Sequence, residues 1–126
     1  MLPVLMKVLV VEDDFLLLEM YATLLASEGY TVVRASDGEA GLKAIDHGNI
    51  DLVLLDLNMP SISGYDVLEH LQQQGGAPPI VVISNTDEAS AIKRCKDLGA
   101  AEYVVKAQTS LEEIKQLVAR FAPSAT

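Results

Sequence analysis

Asp56 stands at the end of an apolar run, Asp51-Leu52-Val53-Leu54-Leu55-Asp56. A carboxylate in that position is costly to desolvate unless a charge or hydrogen bond meets it. Three other groups of residues follow apolar runs in the same way. Glu12-Asp13-Asp14 follows Leu5 to Val11, Ser84 closes the run from Pro79, and Lys106 follows Ala101 to Val105. Brought together, Glu12, Asp13 and Asp56 would crowd negative charges that cannot all ionise without a counter-charge. Lys106 is one remedy and a divalent cation another. The candidate ligands are hard oxygens with no His or Cys among them, which favours Mg²⁺ or Mn²⁺ over zinc. With a cation and Lys106 neutralising a transferring group, Asp56 could attack phosphorus as a nucleophile, and Ser84 could hydrogen-bond a phosphoryl oxygen. Each residue alone has a plainer reading: Asp13 or Asp14 as a helix cap, Lys106 as a solvated charge. The matched positions carry the argument.

Positioning these residues requires parallel strands whose ends share one edge. The chain alternates strand and helix patterns throughout. Strands are expected at Leu5 to Val11, Tyr30 to Ala35, Ile50 to Asp56, Pro79 to Ser84 and Ala101 to Val105. The helix after Asp14 runs to Glu28 and stops at Gly29. Ser36-Asp37-Gly38-Glu39 reads as a capping box for a helix to His47, ended by Gly48. Ser63 caps a helix from Gly64 to about Gln74, before Gly75-Gly76. Asn85 or Thr86 caps a helix to Leu98, ended by Gly99. Thr109-Ser110-Leu111-Glu112 reads as a capping box for a last helix to Phe121. Five βα units imply right-handed crossovers with helices on both faces of a parallel sheet. The α/β fold class that fits is the flavodoxin-like, doubly wound (βα)5 arrangement, a five-stranded parallel sheet of order 2-1-3-4-5.

Size and composition agree. The chain has 126 residues, half of them hydrophobic, which suits one domain over 1–126. Its core spans about 6–121, with a short extension at 1–5 and a tail at 122–126. With 18 acidic residues against 9 basic, the net charge is −9, which argues against direct nucleic-acid binding. The single cysteine, Cys95, excludes an intrachain disulfide and reads as a core filler. No run of about 20 apolar residues is present and the N-terminus lacks signal-peptide features, so a reducing, cytoplasmic setting without membrane insertion is expected. A nucleotide-binding fold would carry a Gly-rich loop after the first strand; Glu12-Asp13-Asp14 stands there instead and repels phosphate unless a cation intervenes.

These residues resemble the receiver domains of two-component response regulators, from Lys7 to about Phe121. The resemblance rests on Val10-Val11-Glu12-Asp13-Asp14, on Asp51 to Pro60 followed by Gly64, on Val82-Ile83-Ser84, and on Gly99 to Lys106. It implies that Asp56 accepts a phosphoryl group from a histidine kinase or a histidine phosphotransfer protein. It implies that Glu12 and Asp13 form the metal-binding pair and that the backbone carbonyl of Asn58 completes the protein part of the Mg²⁺ shell. Ser84 matches the hydroxyl that follows the phosphoryl group, Tyr103 the aromatic that turns with it, and Lys106 the lysine that contacts a phosphoryl oxygen. Two positions depart from the pattern. Asn85 stands where the family mostly has Ala or Gly, which could narrow access to Asp56 or donate a hydrogen bond to the phosphoryl group. Ala107 stands where Pro is usual, so a trans bond after Lys106 and a shifted loop are expected, since a cis non-proline bond costs about 2.5–4 kcal/mol.

The first helix carries more apolar residues than one core face can use. At about 100° per residue, Leu17, Met20, Tyr21, Leu24 and Glu28 share a face with Leu25 near its edge, Phe15 lies almost opposite, and Leu16 and Leu18 flank it. The surplus suggests a partner surface, with Phe15 and Leu16 contacting the phosphodonor helices. The expected protein is a signalling phosphoacceptor, not an enzyme, which assists only its own phosphorylation and dephosphorylation. It would act on a downstream protein, as a monomer or weak dimer through the face of the fourth helix, fifth strand and fifth helix, or as part of a longer chain. Two rivals remain open: a phosphorylation-independent interaction module, and a metal-dependent aspartyl phosphohydrolase. Asp56-Leu57-Asn58 lacks the second Asp such hydrolases commonly carry.

Overall fold

A computed structural model describes residues 6–123. The strands are β1 (Lys7–Val11), β2 (Thr31–Ala35), β3 (Leu52–Asp56), β4 (Ile80–Ser84) and β5 (Glu102–Val105). They alternate with α1 (Phe15–Ser27), α2 (Gly38–Asp46), α3 (Gly64–Gln74), α4 (Ala89–Asp97) and α5 (Leu111–Ala119). The strands form one parallel sheet in the order β2-β1-β3-β4-β5. This is the flavodoxin-like arrangement expected from the five units. The extension at 1–5, including the Leu5 end of the expected first strand, and the last three residues of the tail lie outside the described residues.

The central strands are continuous apolar runs because both their faces are covered. On one face, Val8, Val10, Leu52, Leu54, Val81 and Ile83 meet α1 and α5. On the other, Leu9, Val11, Val53, Leu55, Ile80 and Val82 meet residues of α2, α3 and α4, Cys95 among them. Burying each of Leu52 to Leu55 contributes about 1.5–3 kcal/mol. Such a framework offsets the several kcal/mol that each buried charge at its edge costs.

Four local expectations are corrected. The first helix buries Leu18, Tyr21, Ala22 and Leu25, a face rotated from the one expected that keeps Tyr21 and the edge residue Leu25; Met20 is exposed and Leu17 and Leu24 only part-buried. Its apolar residues run nearly all round, so their spacing sets no phase. The second helix is capped by Asp37, whose carboxylate accepts from the Ala40 amide at 2.8 Å, not by a Ser36–Glu39 box. The fourth helix begins at Ala89, not after Asn85 or Thr86, and its N-cap, Glu88, makes no side-chain capping bond. The last capping box is one residue later than expected, pairing Ser110 with Glu113. Every described peptide bond is trans, that after Lys106 included, and Lys106–Gln108 forms a 3-10 turn.

Candidate functional site

The ends of β1, β3, β4 and β5 bring the expected residues to one edge. Glu12 leaves β1 as its amide donates to the Ala35 carbonyl at 3.0 Å. Asp14 then caps α1, accepting from the Leu16 and Leu17 amides at 2.9 and 3.1 Å. The capping reading is therefore right for Asp14, and it leaves Glu12 and Asp13 for the site. Asp56 ends β3, buried with Glu12 at 3% and 2% exposure. The loop after it is held by close backbone contact. The Gly64 amide donates to the Leu57 carbonyl at 2.9 Å. A Cβ on Gly64 would meet Leu57 Cα at 2.7 Å and the Asp56 carbonyl at 2.8 Å. Only glycine lets α3 start this close to the acidic strand end.

Lys106 joins the two buried carboxylates. Its Nζ lies 2.8 Å from Glu12 Oε1 and 3.3 Å from Asp56 Oδ1. Glu12 Oε2 also accepts from the Asp14 amide at 3.2 Å, and Asp56 Oδ1 from the Asn58 amide at 3.3 Å. One carboxylate oxygen each from Glu12, Asp13 and Asp56 lie within 4.8 Å of one another. Burial, then hydrogen bonding and repulsion from Glu12, push the Asp56 carboxyl up from 3.8 to about 7 against the pull of Lys106. Burial alone would lower Lys106, but the hydrogen bond to Glu12 and the charges of Asp56 and Glu12 outweigh it, so its affinity for a proton is raised. One ammonium thus bridges two of the three clustered carboxylates. The set is oxygen-only, negative in sum and open on the side of exposed Asp13, which fits a hard divalent cation. A cleft of about 470 Å³ opens there, between Asp13, Asp37 and the Pro60–Ile62 loop.

Lys106 reaches the carboxylates from the end of β5; the other groups on β4 and β5 are neutral. Ser84, fully buried, donates from Oγ to Asn58 Oδ1 at 3.2 Å and accepts from the Thr86 amide at 3.2 Å. Tyr103 is half-buried on β5 and its hydroxyl donates to the Thr86 carbonyl at 2.8 Å. Burial raises the Tyr103 pKa, which keeps the phenol a neutral donor. Thr86 thus links Ser84 to Tyr103, a role the sequence does not signal. Asn85 is exposed beside them.

Phe15 and Leu16 are 71% and 77% exposed at the start of α1. Leu16 lines an apolar groove of about 650 Å³ with Met20, Leu24 and, from α5, Leu111. Leu111 has no signature in sequence, because only the packing of α5 beside α1 brings it there.

The chain is thus a doubly wound α/β domain with an acidic, lysine-bridged pocket at the C-terminal ends of its parallel strands. The chain belongs to the response regulator receiver domain family, whose model matches residues 8–119. It is 40% identical over 101 residues to the transcriptional regulatory protein DltR of Streptococcus agalactiae, covering 80% of this chain and 45% of that protein. The chain therefore spans about half the length of the curated relatives it matches. Among solved structures, the receiver domain of Francisella response regulator 1452 superposes with a TM-score of 0.86 at 27% identity, covering 91% of this chain and 94% of that one. The response regulator TrrA of Thermotoga maritima, solved with Mg²⁺ and beryllofluoride, gives 0.81 at 32% identity over 92% and 98% of the two chains. Among the described residues no helix is long and apolar enough to cross a membrane.

Proposed function

We propose that Asp56 is the phosphoacceptor of a two-component phosphorelay. The observation that carries this is the convergence on one buried carboxylate of Lys106 Nζ at 3.3 Å and of the Glu12 and Asp13 oxygens within 4.8 Å. A carboxylate oxygen of Asp56 attacks the phosphorus of a phosphohistidine. The P–N bond breaks, the imidazole leaves with the electron pair and takes a proton, and an acyl phosphate remains on Asp56. Lys106 moves from bridging two carboxylates to holding a phosphoryl oxygen. Glu12, Asp13, Asp56 and the backbone carbonyl of Asn58 would hold Mg²⁺ or Mn²⁺. Bound there, the ion would keep Asp56 ionised and offset charge on the phosphoryl oxygens. TrrA, solved with Mg²⁺ and beryllofluoride, supports this reading by similarity.

Ser84 then turns toward the phosphoryl group, and the Thr86 link passes that movement to Tyr103 and the α4–β5–α5 face, which a downstream protein reads. The donor, a histidine kinase or phosphotransfer protein, docks through Phe15 and Leu16 over the apolar groove. Incubation with acetyl phosphate and Mg²⁺ should add one phosphoryl mass to the intact protein, and Asp56→Asn should abolish it. The absence of a metal-dependent adduct, or an adduct that survives the substitution, rejects the acceptor. Phe15→Ala and Leu16→Ala should slow transfer from the cognate donor and leave acetyl phosphate labelling unchanged; equal transfer rates would remove the docking role.

A further inference from the structure

We infer that the Asn58 side chain is a positioning residue that holds the Ser84 hydroxyl away from the phosphoryl site, so that phosphoryl binding must break the Ser84–Asn58 hydrogen bond. A serine hydroxyl has one proton to donate. Here that proton goes to Asn58 Oδ1 at 3.2 Å, while the Thr86 amide donates to the oxygen at 3.2 Å. Ser84 is fully buried, so no bulk water competes for it. A phosphoryl oxygen can only accept. It must therefore accept the proton that Ser84 now donates to Asn58, one bond exchanged for one.

The exchange is built to be inexpensive. Asn58 is exposed, so its released amide is met by water, whereas Ser84 stays inside. The Asn58 main-chain amide donates to Asp56 Oδ1 at 3.3 Å whatever the side chain is. Removing the side chain thus leaves the main-chain support of Asp56 in place and deletes only the restraint on Ser84. A net hydrogen bond of ordinary strength corresponds to about two- to tenfold in affinity.

This inference rests on Asp56 as the acceptor, and its test separates the two. Beryllofluoride, a phosphoryl mimic, is titrated calorimetrically at fixed Mg²⁺ into the parent chain, Asn58→Ala, Ser84→Ala, the double variant and Asp56→Asn. Asn58→Ala should bind about two- to tenfold more tightly than the parent. In the Ser84→Ala background, the same substitution should change nothing, because no hydroxyl remains to be held. Unchanged or weaker binding by Asn58→Ala overturns the inference, as does a gain that persists without Ser84. No Mg²⁺-dependent binding by the parent, or equal binding by Asp56→Asn, rejects the acceptor itself and takes this inference with it.

Discussion

The two halves of the active edge are built from different forces. On the β1–β3 side, Glu12 and Asp56 are buried and joined at 2.8 and 3.3 Å by Lys106, which reaches over from the end of β5. Charge-assisted contacts of this kind are strong, and removing the shared lysine would leave two buried carboxylates without compensation. On the β4–β5 side, Ser84, Thr86 and Tyr103 are linked by neutral hydrogen bonds of 2.8–3.2 Å. Each is worth only about 0.5–1.5 kcal/mol net. The helix starts are not all alike: α1, α3 and α5 have side-chain caps from Asp14, Ser63 and Ser110, whereas α4, after β4, has none. The charged half is suited to hold reacting atoms still. The neutral half is suited to change conformation for a small free energy.

The largest test of that division acts on the charged half. The folded chain holds the Asp56 proton up to about 7, while the unfolded chain releases it near 3.8. Stability from this group is complete below the lower value and is lost as pH rises through the higher one. Lys106, raised from an already basic 10.5, adds no slope in that window. In metal-free buffer at about pH 8, Asp56→Asn should therefore be more stable than the parent by up to about 4 kcal/mol. Denaturant titrations of both chains across this range should diverge as pH rises; parallel curves would show that Asp56 titrates normally. Next in size is the cation. Mg²⁺ at a hundred times its Kd should stabilise the parent by about 2.7 kcal/mol, flatten the pH slope, and have a much weaker effect on Asp13→Ala.

The charged half was also the more legible in sequence. Glu12, Asp13, Asp56 and Lys106 each follow an apolar strand, and a parallel sheet brings such positions to one edge by construction. The neutral half depends on contacts that no spacing encodes. Thr86 looks like a helix cap, but its amide serves Ser84 and its hydroxyl accepts from the Glu88 amide at 3.3 Å, so α4 starts three residues later. The Thr109–Glu113 stretch offers two capping registers one residue apart, and α5 takes the one in which Ser110 pairs with Glu113. The face of α1 was misjudged because Leu16-Leu17-Leu18 presents an apolar residue in every direction, leaving the phase to tertiary packing.

Caps provide the smaller tests. Ser63 Oγ accepts from the Asp66 amide at 3.2 Å, and Asp66 Oδ2 accepts from the Ser63 amide at 3.0 Å. Ser63→Ala should cost about 1 kcal/mol in denaturant unfolding. The converse change gives α4 what it lacks. Glu88 has the extended backbone of an N-cap, φ −64° and ψ 130°, with no side-chain bond to the helix. A serine there can accept from an amide of the first turn, so Glu88→Ser should stabilise the fold by about 0.5 kcal/mol. The more telling readout is motion. If the β4–β5 side changes conformation because its bonds are weak, fixing the start of α4 should reduce millisecond exchange at Thr86 and Tyr103 in NMR relaxation dispersion, with Glu12 and Asp13 unaffected. Exchange that is unchanged, or reduced equally on both sides, would mean that the weak cap of α4 is unconnected to the movement of Tyr103.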